Sequence, residues 1–165
     1  MQNRPFRLLF LSQRNSARSI MAEAMLNSMG RGEWQAFSAG VRPASRVDPV
    51  VAELLQHAGM ETPGHSPQHV REFSAPESPP FDFVFTLSDT AAGEAPQSWP
   101  GHPITAHWRC TDPEQFDDPA EHRLALLRAR AELERRLRVF TNLPVRSLDR
   151  MSLQEQVDAL GGDRD

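Results

Sequence analysis

Apolar residues along the chain fall into two rhythms, short unbroken runs and longer stretches spaced by three and four, and the two rhythms alternate. Arg7 to Leu11 is too short and too uniformly apolar for an amphipathic helix and reads as a buried parallel strand. Ile20, Met21, Ala24, Met25 and Met29 then recur at helical spacing until Gly30 stops the helix. Trp34–Gly40 is a second strand. Asp48-Pro49 places a capping carboxylate and a first-turn proline ahead of Val50, Val51, Leu54 and Leu55, a helix running to about Ala58-Gly59. Gly64 to Val70 repeats the cap-then-proline signal and predicts a short helix ending near Phe73.

Ser74 to Pro80 is a proline-rich loop, Phe81–Leu87 a buried third strand, and 88 to 103 a loop with one helical turn. Ile104–Trp108 supplies the fourth strand. Pro119 to Val139 is the longest helix, with Leu124, Leu127, Ala131, Leu133, Leu137 and Phe140 as its apolar face. Seven charges between Arg128 and Arg138 read as its solvated side. A last helix begins in Ser147–Val157, inside a C-terminal extension over 142–165. Strands alternating with helices predict an α/β fold, a three-layer sandwich of four parallel strands with helices on both faces, as one domain over 1–165.

Composition narrows the partners. The 18 basic residues are all arginine and are outnumbered by 22 acids, so the formal charge of -4 argues against nucleic acid. No stretch approaches about 18 consecutive apolar residues, which predicts no membrane span and a cytoplasmic protein. Cys110 is the only cysteine, which excludes an intramolecular disulfide and a thiolate zinc site. The six histidines show no metal spacing, with His65 and His69 reading as surface residues, and no cofactor is expected.

Chemistry concentrates where the first strand meets the first helix, in Ser12-Gln13-Arg14-Asn15-Ser16-Ala17-Arg18-Ser19. A loop feeding a helix N-terminus aims successive N–H groups into one concavity, where the helix dipole adds partial positive charge. Arg18 offers a planar fork for two oxygens of a tetrahedral anion. Spacing alone leaves an ordinary polar turn equally open.

The run Asn15-Ser16-Ala17-Arg18-Ser19-Ile20-Met21-Ala22-Glu23-Ala24 resembles the phosphate loop of the low-molecular-weight protein tyrosine phosphatase superfamily, in its thioredoxin-coupled arsenate reductase branch. Ser-Ala-Gly at 38–40, Gly-His-Ser at 64–66 and His107-Trp108 followed by Asp112-Pro113 match in family order. The family loop is C-x5-R-S. Arg18 and Ser19 fit its end, but Ser12 stands where the resemblance places the nucleophilic cysteine, and Ser88 and Ala95 where it places the relay thiols.

By resemblance Asp112 is the general acid that protonates the leaving oxygen; read alone, it is an aspartate that starts a turn. Glu114 follows the proline where the phosphatases carry tyrosine, which disfavours a phosphotyrosine substrate. Asn15 is expected to pin the loop backbone, Arg14 to add a cation near its rim, and Cys110 to be a small buried hydrophobe. The resulting expectation is a binder of phosphate, arsenate or sulfate, with Ser12 to Ser19 as the oxyanion site and Ser12, Arg18 and Asp112 as the residues of the former reaction. The alternative is a phosphate-ester hydrolase or arsenate reductase that works through Ser12 or an Asp112-activated water.

Overall fold

In the computed structural model, which describes residues 4–162, four parallel strands form one sheet in the order β2-β1-β3-β4. They are β1 (Phe6–Ser12), β2 (Trp34–Gly40), β3 (Phe83–Thr86) and β4 (Ile104–His107). The helices are α1 (Arg18–Met29), α2 (Pro49–His57), α3 (Arg71–Ser74), α4 (Asp89–Glu94), α5 (Pro119–Phe140) and α6 (Arg150–Gly162). Among the described residues no helix is long and apolar enough to cross a membrane.

Successive side chains of a strand point to opposite faces, and Leu8 to Leu11 of β1 are all apolar because both faces are covered there. Leu8 and Phe10 pack under α1, α2, α5 and α6, while Leu9 and Leu11 pack with Val70, Val84, Ala91 and Trp99 on the other side. On the first face the Phe140 ring meets those of Trp34, Phe83, Phe85 and Trp108 at centroid distances of 4.8 to 5.6 Å. The cap-then-proline start at 48 forms as expected, with Asp48 accepting from Val50 N–H, and α5 starts in the same way, with Asp118 accepting from Glu121 N–H.

Three local expectations need correction. The helix expected from the Ser66-Pro67 cap begins only at Arg71, because Gly40 N–H donates to Gln68 O and Val70 N–H to Gly40 O, which draws residues 68–70 out as an extension of the sheet edge. The helical turn in 88–103 is a full helix, α4, capped by Ser88, whose hydroxyl accepts from Ala91 N–H. The buried face of α5 is Ala125, Leu126, Ala129, Leu133, Arg136, Leu137 and Phe140, whereas Leu124 is 56% exposed. Leu133, Leu137 and Phe140 are buried as expected and Leu127 packs against the core, but Leu126 and Ala129 are buried in place of Leu124 and Ala131, as packing against α1 and the sheet requires. One of the charges expected on the solvated side, Arg136, is buried as well.

The C-terminal helix rests on the edge strand. Trp108 Nε1 donates to Val157 O at 2.9 Å, Leu153 and Val157 are buried, and a Cβ on Gly161 would lie 2.3 Å from His107 O. Gly161→Ala therefore forces α6 away from β4 and should cost about 1–3 kcal/mol in urea unfolding, the usual cost of overpacking. A loss under about 0.5 kcal/mol would mean that the helix end does not bear on the strand.

Candidate functional site

The loop after β1 is held from outside. Val41, Arg42, Ala44 and Asp48 donate their backbone N–H groups to the carbonyls of Ser12, Gln13, Arg14 and Ser16, at 2.7 to 3.2 Å. With those carbonyls turned outward, the N–H groups of Gln13, Arg14, Ser16, Ala17 and Arg18 donate to no acceptor among the described residues. Gly40 makes the arrangement possible, because a Cβ there would sit 2.9 Å from both Asn15 N and Gln13 O. Asn15 takes φ 51°, a left-handed conformation that asparagine tolerates better than most residues.

Beneath the loop lies a buried polar network. Ser12 Oγ is 2.7 Å from Ser19 Oγ and accepts from Asn15 N–H at 3.1 Å. The Asn15 amide donates to Ser19 Oγ and Ser38 Oγ, and its oxygen accepts from Gln68 N–H. Asn15 thus ties the loop to α1, β2 and residue 68 rather than bonding the loop's own backbone through its side chain. Ser38 Oγ donates to Glu23 Oε1 at 2.5 Å, and His65 Nε2 meets the same oxygen at 2.8 Å.

Two histidines without metal spacing are structural, one of them, His65, expected at the surface. His65 Nδ1 faces Ser66 O and Nε2 faces Glu23, while His122 Nδ1 faces Pro113 O and Nε2 faces Asp48. In each ring both nitrogens meet acceptors, an arrangement that only the imidazolium satisfies. The Glu23 hydrogen bond raises the His65 pKa against the pull of burial. For His122, burial works downward, but the bonds to Asp48 and Pro113 outweigh it and the pKa is raised. His122 thereby ties Asp48, which holds the loop, to Pro113, beside Asp112.

The residues named from sequence do not all converge. Ser12, Asn15, Ser16, Ala17, Arg18 and Ser19 are buried, and Gln13 and Arg18 line a cleft of about 930 Å³ beyond the C-terminal strand ends. Arg14 is exposed and does not line that cleft, so the rim cation is displaced from it. Arg18 Nη1 donates to Cys110 O at 3.3 Å, and Nη2 lies 3.4 Å from Asp112 Oδ1, so loop and aspartate do meet. Cys110 is buried as expected, and burial, only partly offset by Arg136, pushes its thiol up to about 12. Ser88 lines the cleft, whereas Ala95 follows α4 and does not. No cluster of three or more metal-ligating side chains occurs among the described residues.

Residues 7–156 match the family described as low molecular weight phosphotyrosine protein phosphatase. The chain belongs to this family. Arsenate reductase of Bacillus subtilis is 28% identical over 134 residues, covering 81% of this chain and 93% of that protein. The solved arsenate reductase of Archaeoglobus fulgidus is 31% identical with a TM-score of 0.62, covering 82% of this chain and 99% of its own. Vibrio vulnificus Wzb, solved in complex with benzylphosphonate, shares the fold at a TM-score of 0.63 with 14% identity, over 82% of this chain and 97% of its own. These arsenate reductase relatives support the arsenate reductase branch of the family.

Sequence reasoning missed Glu23, Ser38, His65, His122 and Asp48 as one support. Glu23 alone carried a signal, an acid set among the apolar residues of α1. For both imidazoliums the folded pKa exceeds the unfolded value, so their stabilisation is complete below about pH 6.5 and is lost as the pH rises through the folded values. The urea midpoint should accordingly fall between pH 6 and 9, and the His65→Gln/His122→Gln double variant should lose that slope. An equal slope in the double variant would assign it to other groups.

Proposed function

We propose that this chain binds a tetrahedral oxyanion, namely phosphate, sulfate or arsenate, in the Ser12–Ser19 loop, and that it lacks the cysteine chemistry of its family. The observation that carries this reading is the set of five loop N–H groups without acceptors among the described residues, beside the buried Arg18 fork. Its nearer relatives are named arsenate reductases, and arsenate is such an oxyanion.

Ser12 stands where the resemblance places the thiolate. Among the described residues its hydroxyl bonds only Ser19 Oγ and Asn15 N–H, and neither of them offers it a general base. Cys110 offers no substitute, because a thiol whose pKa is about 12 is neutral at physiological pH. A cytoplasmic setting belongs to the same proposal. The second reading, hydrolysis by an Asp112-activated water, is favoured only by the closeness of that carboxylate to Arg18.

Two like charges about 4 Å apart at an effective dielectric near 20 repel by about 4 kcal/mol, and a serine spares the bound anion part of that repulsion from a thiolate. Calorimetry should show millimolar or tighter binding of phosphate or sulfate, loss of binding in Arg18→Ala, and weaker binding in Ser12→Cys at a pH where the thiol is ionised. No binding, or tighter binding by the cysteine form, would make the loop a structural remnant. Asp112→Asn removes a carboxylate that competes for Arg18 and should tighten anion binding several-fold. Arg18-dependent turnover of a small aryl phosphate would instead establish the hydrolase.

A further inference from the structure

The cleft that Arg18 opens into continues along α5, and its far wall is basic. Arg109, Arg128, Arg135 and Arg136 line it with Arg18, against the carboxylates of Asp89, Asp112 and Glu132. Several of these charges are already matched. Arg18 pairs with Asp112 and Arg109 with Asp89, while both Glu132 oxygens accept from Thr111, one from its N–H and one from its hydroxyl.

Arg136 is the exception. It is only 5% exposed, yet it has no carboxylate within ion-pair distance among the described residues. Nη1 donates to Arg109 O at 2.8 Å and approaches Cys110 Sγ at 3.8 Å, while Nε has no partner. A guanidinium taken out of water without a counter-charge is costly, and the cost is recovered when an anion completes its coordination. Its placement is informative as well: Arg18 binds the carbonyl of Cys110 and Arg136 the carbonyl of Arg109, so the two cations grip adjacent residues of one strand end. Arg128, exposed and two helical turns before Arg136, extends the basic wall outward.

From this we infer that the cleft takes a small ligand with two acidic groups, an oxyanion in the Ser12–Ser19 loop and a carboxylate at Arg136. The inference rests on the oxyanion reading of the loop and adds the ligand's second charge. Where the ligand leaves the loop it meets guanidinium groups and Thr111, partners for a second acidic group.

Non-hydrolysable probes separate the two claims. Phosphonoacetate, 3-phosphonopropionate and 4-phosphonobutyrate are each compared by calorimetry with the alkylphosphonate of the same chain length. At least one carboxylated member should bind about tenfold or more tightly than its partner, as expected for added charge-assisted hydrogen bonds. Arg136→Met should bring that ratio close to one, and Arg128→Ala, a change at an exposed position that serves if the buried substitution does not fold, should lower it. Equal affinities within every pair, or a preference that survives Arg136→Met, would overturn the second subsite and leave the loop standing. If none of the phosphonates binds, the loop reading and this inference fall together.

Discussion

Four hydrogen bonds that lie outside the candidate site decide its character. The segment after β2 donates N–H groups to the carbonyls of Ser12, Gln13, Arg14 and Ser16, and a peptide group whose carbonyl is held outward must turn the following N–H inward. Everything else about the site depends on this orientation. Gly40 is needed because the loop passes too close for a Cβ, and the Asn15 conformation is needed because the chain must curl within a few residues. Asp48 carries one of the four bonds with its backbone while its side chain caps α2 and engages His122. The loop is thus braced from β2, from α2 and, through His122, from the turn that carries Asp112.

How much of this was legible in the sequence depends on the range over which each contact acts. Arg7 to Leu11 announces a strand covered on both faces because five consecutive residues show no polar side to give water, apart from its first. Asp48-Pro49 announces a helix start because the cap carboxylate and the N–H that donates to it lie two residues apart. The α5 register was not legible in the same way. At its N-terminal half, apolar positions two residues apart are nearly equal locally, and only contacts with distant elements choose between them.

The loop itself shows both sides of that limit. Residues 12 to 19 were recognisable because strand end, loop and helix start are contiguous, and Arg18 reaches the Asp112 that the resemblance paired with it. The support underneath was not recognisable: His65 reaches Glu23 across 42 positions and His122 reaches Asp48 across 74. A histidine with no ligand spacing looks alike in sequence whether it faces water or holds two acceptors. Arg14 erred in the opposite direction, since adjacency in sequence placed it at the rim while the backbone curl turns it to solvent, away from the cleft.

Proton counting in the buried network bears on what Ser12 can do. His65 and Ser38 both donate to Glu23 Oε1, the Asn15 amide donates to Ser38 and Ser19, and Asn15 N–H donates to Ser12. Ser12 and Ser19 hold two hydroxyl protons between them and use one for the bond that joins them. One O–H of the pair is therefore not used by the bond that joins them. Removing it would require a base, and the only carboxylate in the chain of bonds, Glu23, is separated from Ser12 by Ser19, Asn15 and Ser38 and already receives two donors on one oxygen. The same network that keeps the loop rigid supplies Ser12 with donors and no acceptor of protons, a setting suited to holding an anion and not to attacking one.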